Sequence, residues 1–258
     1  LQINYEATDT EDAIRTFNYS QMLVAPFVAA FANSGFSNGK LLEDVESRIK
    51  IFTEVERIDS GNPRFGGFLK YIARLEDYFA EPMLFKKIYP WITEEQSFEH
   101  LGTTFFPWVR LRTTEKPDTS LRIEFRPVSA QPSVEENLGV VQLYISMLET
   151  LKEMEVELIP QRDLQPNLKL AAREGASAMM YLPIVGRKTR DYVTAKGFFN
   201  NWCRAIEESS RKFFTTKEEE NINRVFDRIY RMRNLPELVH DWAGEKDIKY
   251  ALEKYTEK

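Results

Sequence analysis

The chain has 258 residues, a net charge of −5 and 43 % hydrophobic residues, a balance usual for a soluble globular protein and one that gives no reason to expect nucleic-acid binding. One cysteine, Cys203, excludes a disulfide framework within the chain and a Cys-rich zinc centre, and two histidines argue against a His-based metal site. No apolar run is long enough to span a membrane and no signal peptide opens the chain, so the cytoplasm is the expected compartment.

Leu1–Glu6, LQINYE, alternates: Leu1, Ile3 and Tyr5 share one face, and Gln2, Asn4 and Glu6 the other. That is the period of a strand with one buried side. Thr8 and Glu11 have capping-box spacing. Ala13, Ile14, Phe17, Leu23, Val24, Phe27 and Phe31 then predict a helix over about 10–32, which Pro26 should kink or divide. Asn33–Lys40, NSGFSNGK, is a loop by composition, and Leu42–Val55 is expected to be a helix carrying Arg48. Next come a loop at Ser60–Gly67, a helix over Phe68–Phe79, a strand opening at Pro82–Phe85 and a helix over Thr93–Leu101.

Phe105–Pro132 reads as two short strands joined by a polar loop at Thr113–Ser120. In the first strand Val109 and Leu111 oppose Trp108, Arg110 and Arg112. In the second, Leu121, Ile123 and Phe125 oppose Arg122, Glu124 and Arg126. If the strands pair, four arginines surround one carboxylate. Guanidinium groups held side by side repel, and their planar forks suit phosphate or carboxylate oxygens. A carboxylate among them suits Mg²⁺, which shares oxygen ligands with phosphates. The plainer alternative is a solvated outer face of an antiparallel sheet, which needs no ligand.

Ser133 and Glu136 form a capping box for a helix over Val134–Met154, with Leu138, Val141, Tyr144, Ile145, Leu148 and Leu151 as its buried stripe. A helix over Asn167–Met180, a basic connection at Arg187–Thr194 and three helices, Ala195–Phe214, Lys217–Arg233 and Pro236–Tyr255, complete the chain. Phe198, Phe199 and Trp202 read as a helix-packing stripe, Cys203 as a core or half-buried thiol and His100 as a structural residue. The expected class is α+β, with a sheet-and-helix core over residues 1–160 and a helical extension over 161–258.

Four segments together resemble the glutamate–cysteine ligase family in its plant, proteobacterial and archaeal form. LQINYE resembles the family's Q-V-N-hydrophobic-acid strand. APFVAAFANSGFSNGK at Ala25–Lys40 is similar to its helix ending A-x-F-A-N-S-P-F with a following G-K turn, Gly35 standing where the family has proline. AEPMLF at Ala80–Phe85 resembles its V-P-M-hydrophobic-F segment. HLGTTFFPWVRLR at His100–Arg112, continued by LRIEFR at Leu121–Arg126, is close to H-L-T-T-hydrophobic-F-P-x-V-R-L-K and Y-hydrophobic-E-hydrophobic-R. A looser match lies at Asn167–Ala178.

The resemblance implies a glutamine synthetase-like curved antiparallel sheet, with ATP and metal on one face and helices on the other. It implies ATP-dependent joining of the γ-carboxyl of glutamate to the amine of cysteine through an acyl phosphate, in glutathione biosynthesis, with ATP and Mg²⁺ as cofactors. By position, Glu124 and Gln2 match metal ligands and Arg126 and Arg110 match phosphate-contacting catalytic arginines. Asn4 and Arg122 join those arginines in the nucleotide-binding set, and Arg48 falls on an arginine expected to hold an amino-acid carboxylate. The partners implied are small molecules, with no nucleic acid or membrane; the oligomeric state is left open. The family's G-x-E-x-E metal strand has no match here, so the expectation is a chain lacking the N-terminal part of the ligase. The alternatives are a ligase for a different amino acid or amine, and a non-catalytic binding module that kept the sheet but lost the first metal strand.

Overall fold

The computed structural model describes residues 1–37, 40–51, 69–80, 107–113, 121–186 and 190–230. In chain order these form β1 (Ile3–Ala7), α1 (Thr10–Phe31), β2 (Phe36–Ser37), β3 (Lys40–Leu41), α2 (Leu75–Ala80), β4 (Val109–Thr113), β5 (Leu121–Phe125), α3 (Val134–Glu153), α4 (Gln161–Glu174), β6 (Met180–Pro183), β7 (Arg190–Val193), α5 (Ala195–Phe213) and α6 (Thr216–Tyr230). The class is α+β: β1, β5 and β4 make an antiparallel sheet in that order, and β2–β3 and β6–β7 are separate antiparallel pairs.

The alternation sets the layering. Ile3, Val109, Leu111, Ile123 and Phe125 are buried on one side of the sheet, where α1 and α3 cover them. Phe125 stacks on Tyr144 of α3 with ring centroids 4.3 Å apart. Phe27 of α1 meets Phe125, Tyr144 and Phe199 edge-on at 5.4–5.9 Å. Such offset and T-shaped pairs suit the aromatic quadrupole and contribute about 0.5–1.5 kcal/mol each beyond burial. Phe199 lies in α5, so one buried cluster runs across residue 160 and takes in Leu164, Leu168, Phe198 and Trp202. Phe198, Phe199 and Trp202 thus pack as the stripe anticipated, and Cys203 is half-buried.

Several boundaries differ from the sequence reading, each for a local reason. The cap of α1 is Asp9, not Thr8: its carboxylate accepts from the Asp12 amide at 2.8 Å, and Asp12 in turn accepts from the Thr8 amide at 3.0 Å. Pro26 does not divide α1, which runs unbroken to Phe31. The stretch expected to be a loop before Arg48 contains the β2–β3 pair, and helix begins only at residue 47. Residues 69–72 are not helical, because the Asn18 amide grips the Ile72 backbone at both N–H (2.9 Å) and C=O (2.8 Å). Leu138 is 48 % exposed, since the buried stripe of α3 runs instead through Val140, Leu143, Tyr144, Met147, Leu148 and Leu151. The helix placed at Asn167–Met180 is α4, which starts six residues earlier and stops at Gly175 (φ 56°), a backbone angle that favours glycine. Arg190–Val193 is strand rather than loop. The elements expected at Ser60–Gly67, Pro82–Phe85, Thr93–Leu101 and Pro236–Tyr255, and His100, lie outside the described residues. Among the described residues no helix is long and apolar enough to cross a membrane.

Candidate active site

The other face of the β1–β5–β4 sheet is built in rows. Antiparallel register sets Asn4 opposite Glu124 and Glu124 opposite Arg110. One pair of residues along, Glu6 faces Arg122 and Arg122 faces Arg112. At the other end the Arg126 amide donates to the Trp108 carbonyl at 2.9 Å, so Arg126 and Trp108 form a third row, with Gln2 just beyond the end of β1. Directly opposed residues in such a ladder have Cβ atoms about 5 Å apart. The sheet itself therefore assembles residues that are more than 100 positions apart in the chain.

Glu124 is the centre. It is 2 % exposed, and three guanidinium groups converge on it. Arg112 Nη1 donates to Oε1 at 3.0 Å, Arg110 Nη1 lies 3.7 Å from Oε2 and Arg126 Nη1 lies 4.0 Å from Oε2. The arginines differ in exposure. Arg110 is 5 % exposed, whereas 42 % of the Arg112 side chain and 27 % of that of Arg126 face solvent. Burial lowers the guanidinium pKa of Arg110 and Arg126; the neighbouring Glu124 charge opposes that shift, and Arg112 adds to it. Tyr78 of α2 sits close to this group, 4 % exposed, and its hydroxyl pKa is pushed up to about 12, chiefly by burial. The face is thus not a simple solvated surface. Glu124 and Arg110 in its middle row are covered, while Asn4 at the end of that row and Glu6 and Arg112 in the next are exposed.

Arg48 arrives from a different segment. Its guanidinium carbon lies 5.3 Å from the Trp108 ring centroid, a cation–π contact. Its Nε is 3.3 Å from Glu46 Oε1, and its Nη2 donates to the Pro127 carbonyl. Because Trp108 neighbours Arg126 in the sheet, Arg48 lies near enough to Arg126 for their charges to repel. The sequence-selected residues Asn4, Arg48, Arg110, Glu124 and Arg126 are therefore brought together. Gln2 is exposed at the edge. Arg122 is half-buried in the second row, with an Nε that has no hydrogen-bond partner. Arg112, counted among the four arginines expected around the carboxylate but given no role, makes the shortest contact with Glu124; Trp108 beneath Arg48, and Glu46, which also belong here, are not singled out from the sequence as site members. The alternation of Trp108 and Arg112 with Val109 and Leu111 was a usable signal for the first two; for Glu46 the only hint was an acid two positions before Arg48.

This donor set fits an anion. Five arginines (48, 110, 112, 122 and 126) stand against three carboxylates (Glu6, Glu46 and Glu124) among the described residues. The partly exposed forks of Arg48, Arg112 and Arg126 match phosphate or carboxylate geometry. The same set does not by itself fit Mg²⁺. Glu124 is one carboxylate already shared by three arginines, Gln2 and Asn4 offer neutral oxygens, and no group of three or more His, Cys, Asp or Glu able to hold a metal occurs among the described residues. Mg²⁺ asks for near-octahedral oxygen ligation.

No curated protein matches the sequence. Among solved structures, the chain is similar to the Pup ligase PafA of the prokaryotic ubiquitin-like modification pathway, determined in complex with ADP. The identity is 12 % and the TM-score 0.48, and the match covers 99 % of this chain and 48 % of that one, so this chain spans about half of that protein's length. The model of glutamate–cysteine ligase family 2 matches residues 1–212, which takes in the arginine sheet and continues past residue 160 almost to the end of α5. With so much of the sequence matched, the chain belongs to glutamate–cysteine ligase family 2.

Proposed function

We propose that this chain carries the phosphate- and carboxylate-binding face of an ATP-dependent carboxylate–amine ligase that joins the γ-carboxyl of glutamate to the amine of cysteine. The observation that supports the reading is the strip of arginines ordered around the buried carboxylate of Glu124.

The chemistry calls for such a strip. A carboxylate is a poor electrophile, so the glutamate γ-carboxylate oxygen attacks the γ-phosphorus of ATP, the P–O bond to ADP breaks and an acyl phosphate forms. The cysteine amine then attacks the acyl carbon, phosphate leaves and the amine proton passes to solvent. Both steps build charge on phosphoryl oxygens, and fixed guanidinium groups stabilise that charge without reorganisation. Arg126 and Arg112 present half-open forks to the phosphates, Arg110 adds its charge from the buried row, and Asn4 and Arg122 flank the nucleotide. Arg48 is the candidate for the amino-acid carboxylate. Mg²⁺ when bound would shield the phosphates. Glu124 and Gln2 would be its ligands here, and a full shell needs phosphate oxygens, water or other carboxylates as well. The cytoplasm and a place in glutathione biosynthesis belong to the same reading, as does the division between a site-bearing part over 1–160 and a helical part over 161–258.

The test is ADP release by the protein with Mg²⁺, ATP and glutamate, with and without cysteine and a panel of other amines. Cysteine-dependent release supports the full reading, and release with another amine keeps the mechanism and changes the acceptor. A second reading, a non-catalytic binding module, is favoured by the lack of a metal-holding carboxylate group among the described residues; a folded protein that releases no ADP with any amine selects it. Within the ligase reading, Arg126→Ala should raise the ATP dissociation constant about tenfold or more, since a charge-assisted fork contributes about 1.5–3 kcal/mol. Unchanged ATP binding by calorimetry would remove Arg126 from the site.

A further inference from the structure

The Glu46 carboxylate is 1 % exposed and fully engaged. It accepts from the Asn33 amide at 3.0 Å, the Ser34 hydroxyl, the Ser129 hydroxyl at 2.8 Å and Arg48 Nε at 3.3 Å. Its backbone is fixed as well: the Glu46 amide donates to the Ala172 carbonyl at the end of α4 at 2.9 Å, and Ser34 and Glu46 form an isolated parallel bridge. Three things therefore hold the Arg48 guanidinium: Glu46 at Nε, the Pro127 carbonyl at Nη2 and the Trp108 ring against its face. The remaining 27 % of the side chain opens to solvent. Arginine ordinarily loses much rotamer freedom when it binds an anion; a guanidinium already fixed along one edge and one face has less to lose.

We infer that Glu46 is a positioning residue, a buried pedestal that orients Arg48 toward the carboxylate of the bound amino acid. This rests on the reading of the arginine face given above. It also gives the helical part of the chain a task, because the pedestal is tied through Ala172 to α4.

The experiment uses Glu46→Gln, Arg48→Ala and the double variant. Glu46→Gln keeps the shape and loses the charge; it should raise the glutamate KM about tenfold with the ATP KM within about twofold, the size expected for one charge-assisted bond. Because Glu46 acts through Arg48, the double variant should be no worse for glutamate than Arg48→Ala alone. Effects that multiply in the double variant overturn the inference. A spectroscopic arm is independent of turnover. The Arg48 Nε–Hε resonance, assigned by its absence in Arg48→Ala, should move upfield and exchange faster with water in Glu46→Gln; an unmoved resonance overturns the pedestal. If the unaltered protein shows no glutamate-dependent turnover, the functional reading fails and the resonance alone decides the inference. Should Glu46→Gln not fold, Glu46→Asp, which keeps the charge but withdraws it from Nε, replaces it with the same expectations.

Discussion

Glu124 and Arg110 illustrate what burial does to a charge pair. Both are nearly inaccessible, 3.7 Å apart, and Coulomb attraction in such a place must offset the loss of hydration. Removing the carboxylate charge leaves Arg110 buried beside Arg112 and Arg126. Glu124→Gln should therefore destabilise the fold by about 3 kcal/mol in urea denaturation, in addition to any effect on turnover; a change well under about 1 kcal/mol would mean that the strip relaxes freely. A second cluster lies on the opposite side of β1. Lys152 Nζ sits 2.6 Å from Asp12 and 3.1 Å from both Glu149 and the Tyr5 hydroxyl. Burial raises the pKa of Asp12, but hydrogen bonds from Lys152 and Thr8 outweigh it and the net shift is downward. A depressed carboxyl contributes stability above its unfolded value near about 3.9 and loses it as pH falls through the folded value. Asp12→Asn should thus lower the melting temperature at pH 7, with the gap to the unaltered protein closing below about pH 4. A gap that does not narrow at all as the pH is lowered from 7 to about 2 would assign the effect to packing.

At the scale of elements, the crossing of α3 and α6 turns on Gly139. A Cβ built there would lie 2.3 Å from the Asn221 carbonyl oxygen and 2.6 Å from Val225 Cγ2. Helix propensity favours alanine over glycine by about 1 kcal/mol. Backbone overlap of this degree outweighs that preference, since overpacking typically costs about 1–3 kcal/mol and a helix backbone yields little. Gly139→Ala should be destabilising by about 2 kcal/mol by chemical denaturation; a neutral or stabilising result would show that α6 can shift without loss. The sheet elements were the most legible part of the chain. The period-two pattern of Leu1–Glu6 and of the Arg110 and Glu124 strands carried their existence, their faces and the grouping of arginines, because pleating fixes side-chain direction residue by residue. The boundaries of α4 and of the segment before α2 were not legible. They depend on Gly175 taking a positive φ and on Asn18 reaching residue 72, and no periodicity in the sequence reports either.

On the scale of the whole molecule, the sheet and the C-terminal helices share one core. Phe27 of α1 contacts Phe125 in the sheet and Phe199 in α5, and the family match likewise crosses residue 160. A fragment of residues 1–160 should therefore lack fixed tertiary structure, judged by amide dispersion in NMR, because truncation would remove Phe199 from Phe27 and Phe31 and open both to water at a cost of up to about 1.5–3 kcal/mol per side chain. A dispersed, cooperatively unfolding fragment would instead make the division at residue 160 a true domain boundary. What the sequence determined by itself was the local order: strand faces, helix stripes, the Ser133 cap of α3 and the ordered motifs of the family, most of it set by periodicities of two and 3.6 residues. What only the tertiary structure decided was how charges meet. Antiparallel register, a property of hydrogen bonds between distant strands, put Asn4, Glu124 and Arg110 in one row, and the packing of the Glu46 segment on α4 brought Arg48 onto Trp108. Charge pairing falls off over a few ångströms, a distance that sequence separation does not measure.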